Sequence, residues 1–226
     1  MYNQYLIEIK NLNKIYSDGT EVKALDGVNL TIKHGEFMAI VGPSGSGKST
    51  LLHILGILDT PTQGSIIIDN KNITSMSDKE RSKARNKMLG FIFQYHNLLP
   101  DFTALENVMI PLLISGYSKN EAKESAQNML KEVGLEDRMY HKPGELSGGQ
   151  NQRVSVARAL VNNPTIVIGD EPTGNLDTKT SDRIYELLRK LNRERGQTFI
   201  LVTHDENMAK KTDRIERLID GKIVNS

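Results

Sequence analysis

The segment Gly42-Pro43-Ser44-Gly45-Ser46-Gly47-Lys48-Ser49-Thr50 constrains this chain more than any other. It satisfies the pattern G-x-x-x-x-G-K-[ST], follows the apolar run Glu36-Phe37-Met38-Ala39-Ile40-Val41, and precedes a stretch (48–58) with helical spacing of apolar residues. In a strand, glycine-rich loop, helix sequence, backbone N–H groups curl toward phosphate oxygens and the new helix adds its positive end. Ser44, Gly45, Ser46, Gly47 and Thr50 belong to that cradle, Lys48 would reach β- and γ-phosphates, and Ser49 would reach a Mg²⁺ ion. Nucleotide binding follows; the fate of the nucleotide does not.

The rest of the chain repeats the strand and helix alternation. Residues 6–12 and 22–32 read as antiparallel strands around the turn-like Ser17-Asp18-Gly19. Residues 66–68 and 89–94 read as strands, while 77–86 is dominated by charge. Between 98 and 160, three stretches (104–113, 119–133 and 150–161) carry apolar residues at helical spacing, the pattern of an inserted helical subdomain. Buried-strand patterns return at 165–170 and 198–203, separated by a helix over 178–194. The expected fold is α/β, with a mostly parallel sheet covered on both faces, an N-terminal antiparallel β-subdomain and an inserted α-helical subdomain. One domain of 226 residues then comprises a core over 1–96 and 162–226 and a helical subdomain over 97–161.

Composition removes several alternatives. Zero cysteines exclude disulfides, thiolate metal sites and cysteine nucleophiles. With 29 Lys+Arg against 28 Asp+Glu, the net charge of +1 supplies no global field for wrapping nucleic acid. No stretch approaches the roughly 18 apolar residues of a spanning helix. The opening Met-Tyr-Asn-Gln-Tyr lacks a basic start followed by an apolar core, so the chain is expected to stay in the cytoplasm.

Three further segments carry chemistry. The apolar run Ile166-Val167-Ile168-Gly169 ends in Asp170-Glu171; a carboxylate at the C-terminal end of a parallel strand sits where ligands bind. Asp170 suits Mg²⁺, which prefers oxygen ligands, and Glu171 suits a general base for water. Leu146-Ser147-Gly148-Gly149-Gln150 reads as a loop and N-cap, but adjacent glycines at a helix start also form an anion site. One nucleotide does not need two cradles from one subunit, so the second invites another subunit. His204 follows the strand pattern of residues 199–203; His34, His53, His96 and His141 have no motif context and read as surface or packing residues.

With these motifs in this order, the sequence resembles the nucleotide-binding domains of ABC transporters over essentially its whole length. The resemblance rests on the phosphate loop, Gln94, Leu146-Ser147-Gly148-Gly149-Gln150, Asp170-Glu171, Gly174-Asn175-Leu176-Asp177 and His204. It implies a P-loop NTPase core that hydrolyses ATP with Mg²⁺ and a homodimer formed head to tail on ATP binding. In that dimer Ser147, Gly148, Gly149 and Gln150 would meet the partner's nucleotide, and Asp177 would make contacts across the interface. Tyr16 would stack on adenine, against the plainer reading of a core tyrosine. Gln94 would sense metal and attacking water, while His204 would contact the γ-phosphate and hold Glu171 in position. Asn151 and Gly169 depart from common family choices without touching this chemistry.

Residues 55–64, 97–108 and 170–177 look like the lipoprotein-release and macrolide-efflux group (LolD and MacB types), with the FtsE type close by. Such subunits work beneath a membrane permease of the LolC/E, MacB or FtsX type, peripheral on the inner face of the membrane, with no nucleic acid expected. Leu98, Leu99, Phe102, Leu105, Val108 and Ile110 are candidates for the groove that receives the permease, or for subdomain core. A soluble ABC ATPase acting on nucleic acid or ribosomes is the alternative, though its usual coiled-coil insertions and zinc cysteines are missing. A phosphate-loop kinase leaves residues 146–150 unexplained.

Overall fold

A computed structural model describes residues 4–224; the opening Met1-Tyr2-Asn3, on which the reading of a missing leader rests, lies outside the described residues. In chain order the elements are strands β1 (Tyr5–Asp18), β2 (Thr20–Lys33) and β3 (Phe37–Val41), helix α1 (Lys48–Leu55), strands β4 (Gln63–Ile68) and β5 (Lys71–Asn72), helix α2 (Asp78–Met88) and strand β6 (Leu89–Phe93). Helices α3 (Ala104–Ile114), α4 (Lys119–Glu132) and α5 (Gly148–Leu160) follow, then strand β7 (Ile166–Asp170) and helix α6 (Thr178–Arg195). Strand β8 (Thr198–Val202), the short helix α7 (Glu206–Ala209) and strands β9 (Arg214–Ile219) and β10 (Lys222–Val224) complete the chain. The residues up to Arg85 and those from Gly196 onward form one compact unit, and those from Asn86 to Arg195 form another.

The first unit contains the antiparallel sheet β2-β1-β4-β5 and the strands β10-β9-β3-β8. β1 and β2 are the two arms of a long hairpin, with Ile7 opposite Ile32 and Ile9 opposite Leu30. β3 runs parallel to both β8 and β9. Every residue of β3 and β8 is buried, which is why these segments read as continuous apolar runs rather than alternating ones. Phe37 and Phe199 stack with centroids 5.3 Å apart. Ile40 pairs with Val202, and Thr203 N–H donates to Ile40 O at 3.2 Å. The loops after β3 and β8 therefore leave from the same edge, the usual ligand edge of a parallel sheet.

Helix α1 stops three residues before the end of its periodic pattern. Ile57 adopts the left-handed region at φ 55, and the His53 carbonyl accepts from both Leu58 N (2.8 Å) and Asp59 N (3.2 Å). A left-handed residue just past a helix turns the chain back on itself. The charged stretch 77–86 forms α2, in which Met88 alone is buried, so no apolar stripe announces it.

In the second unit β6 and β7 pair in parallel, with Phe93 opposite Asp170. Helices α3, α4 and α5 each open with a capping box, Thr103 with Glu106, Ser118 with Glu121, and Ser147 with Gln150. Asn107, fully buried in α3, ties the preceding loop: its Oδ1 accepts from Leu99 N (2.8 Å) and its Nδ2 reaches the carbonyls of Leu99, Phe102 and Thr103 at 3.0–3.2 Å. Of the six groove candidates, Leu105 and Val108 are core, because they lie on the inward face of α3. Leu99 and Phe102 stay exposed at 44% and 43%, while Leu98 and Ile110 are half-buried.

Asn107→Ala should destabilise the protein by about 1–3 kcal/mol, since it strands buried loop groups without partners. Urea unfolding of the variant beside the wild type measures this.

Candidate nucleotide site

The phosphate loop joins β3 to α1. Gly47, the residue before the helix, sits at φ 100, and a Cβ there would lie 2.4 Å from Ala24 O, so both backbone angle and space require glycine. α1 has no side-chain cap and no acidic residue in its first turn. Its leading N–H groups are therefore left for an anion. Ser46 Oγ is buried without a hydrogen-bond partner, a hydroxyl that a phosphate oxygen would satisfy. Lys48 Nζ arches over the loop, donating to Gly42 O at 2.8 Å and Pro43 O at 2.7 Å. Gly221 N–H donates to Ser46 O at 3.0 Å and holds the loop from below. His204 stands exposed two residues beyond β8, at the edge from which the phosphate loop departs. Tyr16 lies on β1, 40% exposed, and its hydroxyl donates to Asp59 Oδ2 at 2.9 Å.

In the second unit, the β6–β7 register sets Gln94, Asp170 and Glu171 at the C-terminal ends of adjacent strands. Glu171 is a non-glycine residue at φ 46, a backbone state costing on the order of 1–3 kcal/mol that the surrounding turn maintains. Gln94 and Asn175 hold each other: Gln94 Nε2 donates to Asn175 Oδ1 at 3.0 Å, and Asn175 Nδ2 donates to Gln94 O at 3.3 Å. This leaves the side-chain amide oxygen, Gln94 Oε1, as the end that can accept from water or bind a cation.

A cavity of about 600 Å³ lies over the start of α5, lined among others by Ser147, Gly148, Gly149, Asp177 and the guanidinium-bearing Arg138, Arg153 and Arg183. Ser147 Oγ accepts from Gln150 N at 3.3 Å and Gln150 Oε1 accepts from Ser147 N at 2.9 Å. A Cβ on Gly149 would come within 2.7 Å of the Thr180 methyl, so glycine here lets α5 and α6 begin side by side. Asp177 caps α6, accepting from Thr180 Oγ1 (2.6 Å) and Thr180 N (3.1 Å), and these bonds hold its carboxyl below the usual carboxylate range.

Comparison with known proteins identifies this arrangement. The ABC transporter family model matches residues 25–174. The chain belongs to the ABC transporter family. It is an ATP-hydrolysing subunit of that family, with the α/β phosphate-loop NTPase fold. It is 52% identical over 220 residues to the lipoprotein-releasing system ATP-binding protein LolD of Geobacter metallireducens, covering 97% of this chain and 98% of that one. LolD of Legionella pneumophila is 49% identical over 222 residues, covering 98% of each. Among solved structures, the dimeric post-hydrolysis state of the ATP-binding cassette MJ0796 bound to ADP and Pi superimposes with a TM-score of 0.89 at 48% identity, covering 97% of each chain.

Among the residues expected to serve this ABC subunit, Tyr16, the phosphate loop and His204 belong to the first unit, and Gln94, residues 147–150, Asp170, Glu171 and Asp177 to the second. Taken one by one, the hydroxyl of Ser49, the carboxylate of Asp170 and the amide oxygen of Gln94 are oxygen donors of the kind that Mg²⁺ prefers. No cluster of three or more His, Asp or Glu occurs among the described residues. Sequence reasoning missed Gln152. It is fully buried on α5 and its Nε2 donates to Pro172 O at 2.5 Å and Phe93 O at 3.5 Å, joining the acidic turn to the end of β6. Its helical period with Val156 and Ala159 was the available signal. Asn151 Nδ2 donates to Pro143 O at 3.0 Å and pins the loop ahead of α5.

Asn175→Ala removes both bonds that orient Gln94. ATP turnover should fall on the order of tenfold while ATP affinity stays close to wild type, as steady-state hydrolysis and calorimetric titration would report.

Proposed function

We propose that this chain is the ATPase of a lipoprotein-releasing transporter of the LolD kind, working at the cytoplasmic face of a membrane beneath a separate permease of the LolC/E, MacB or FtsX type. The observation that supports this most is the near-complete, roughly half-identical match to several LolD proteins, spanning 97% of this chain and 98% of the Geobacter protein. No helix among the described residues is long and apolar enough to cross a membrane, so the span is supplied by the partner. Exposed Tyr95, Leu99, Phe102, Ile114 and Tyr117 of the second unit are individual candidates for contact with it.

ATP binds in this reading with its phosphates on the N–H groups of residues 44–50. Lys48 exchanges its loop carbonyls for β- and γ-phosphate oxygens. Ser49, Asp170 and Gln94 would hold Mg²⁺, which neutralises developing charge on the phosphates. Glu171 takes the proton of the attacking water, Gln94 orients that water, and His204 fixes the γ-phosphate. Ser147, Gly148, Gly149 and Gln150 of one protomer close on the ATP of the other, where the arginine-lined cavity draws the phosphates, and Asp177 contacts the partner. Tyr16 stacks on adenine. The helical insertion over 97–161 carries residues 146–150 and the permease contact.

Glu171→Gln should retain ATP binding, abolish turnover and accumulate an ATP-bound dimer on size exclusion; wild-type hydrolysis would remove Glu171 as the base. Ser147→Arg should prevent that dimer while leaving the monomer's ATP affinity intact. Capture of a multi-span permease by Glu171→Gln from membrane extract tests the transporter assignment, and recovery of ribosomes or DNA without a permease would contradict it.

A further inference from the structure

The stretch after α1 sends a side chain back to the Tyr16 ring. Asp59 accepts the Tyr16 hydroxyl on Oδ2 at 2.9 Å and Lys14 Nζ on Oδ1 at 2.8 Å. Lys14 Nζ also donates to Thr60 O at 2.8 Å and stands 4.8 Å from the centroid of the Tyr16 ring, within range of a cation–π contact. The loop that carries Asp59 is fastened on both sides. Asp59 N bonds to the carbonyl of His53 in α1, while Thr62 N donates to Asn13 O (2.8 Å) and Thr62 Oγ1 accepts from Ile15 N (3.0 Å) on β1. Burial opposes the charge on Asp59, but the bonds from Lys14, Thr60 N–H and Tyr16 outweigh it and hold the carboxyl below its usual range. The Lys14 side chain is only 12% exposed, whereas Tyr16 is 40% exposed. A half-buried charged pair thus holds the edge and one face of an accessible ring.

We infer that Asp59 and Lys14 are positioning residues for the nucleobase: Asp59 fixes the Tyr16 hydroxyl, Lys14 covers one face of the ring, and the purine stacks on the other. The inference rests on the reading of Tyr16 as the base-stacking aromatic. A ring already fixed loses little freedom when the base arrives. The ammonium on one face also draws π density toward itself, leaving the far face less repulsive to an electron-rich purine. The triphosphate would be held chiefly by the phosphate loop, whose Thr50 side chain also interacts with the Tyr16 hydroxyl.

Calorimetric titration of the full chain with ATP and, separately, with inorganic triphosphate distinguishes these contributions. Tyr16→Ala should weaken ATP on the order of tenfold. Asp59→Ala and Lys14→Ala should each weaken it roughly three- to tenfold, with triphosphate affinity unchanged and the loss appearing in KM rather than kcat. Lys14→Arg, which keeps a cation over the ring, should recover most of the lost affinity. Adding Asp59→Ala to Tyr16→Ala should cost nothing further, because the two act through one contact. If Tyr16→Ala weakens ATP but Asp59→Ala and Lys14→Ala do not, the positioning role is wrong and the stacking role stands. Equal loss of ATP and triphosphate in the Asp59 and Lys14 variants would mean a structural role and overturn the inference. Unchanged ATP affinity in Tyr16→Ala would remove the stacking reading and this inference together.

Discussion

Burial of β3 on both faces is the constraint from which the first unit's chemistry follows. Its five residues are all inaccessible, flanked in parallel by β8 and β9. A strand so enclosed is satisfied by its neighbours' backbone and by apolar packing, so its end cannot drift. The loop that leaves it must turn at once into α1, and the left-handed Gly47 makes that turn against Ala24 O. The outcome is a row of backbone donors at a fixed point with an uncapped helix start beside it. The loop needs no flexible anion-binding side chain except Lys48, whose Nζ already rests on the loop carbonyls.

The second unit solves a different problem, which is to hold several loop residues in mutual register. Helix α5 does this from three places along its length. Its first turn presents Ser147 and two glycines, and its buried Gln152 reaches carbonyls at Pro172 and Phe93. Arg158, further along, donates to the carbonyls of His96 and Asn97, two residues in left-handed conformations. Gln94, between these tied points, is then fixed by Asn175. Helix α5 thus ties its own first turn to the turns that follow β6 and β7 through the side chains it carries.

Much of this was legible beforehand, for identifiable reasons. Continuous apolar runs marked β3, β7 and β8, and helical spacing marked α3, α4 and α5, because each buries a face and burial writes a period into the sequence. The phosphate loop and residues 146–150 and 170–171 were readable as motifs with fixed residue types at fixed spacing, whereas Gln94 entered only through the resemblance to ABC nucleotide-binding domains. α2 was not readable, since it buries almost nothing. Nor was the early end of α1, which depends on Ile57 taking an unfavoured backbone state. Leu105 and Val108 were assigned to a surface groove or to core with equal reason, since an apolar residue on a short helix has the same signature in both places.

By itself the sequence determined the motifs of the family and their local setting: a phosphate loop after a buried strand, carboxylates at a strand end, glycines at a helix start. Those are short-range relations, set by backbone geometry within a few residues. Only the tertiary structure decided which distant groups support them. Asp59 reaches Tyr16 across 43 positions, Asn175 reaches Gln94 across 81, and Gln152 reaches Pro172 across 20. A period can mark Gln152 as buried but not its partner, because a hydrogen bond between remote residues depends on where the packed elements bring them and not on their spacing along the chain.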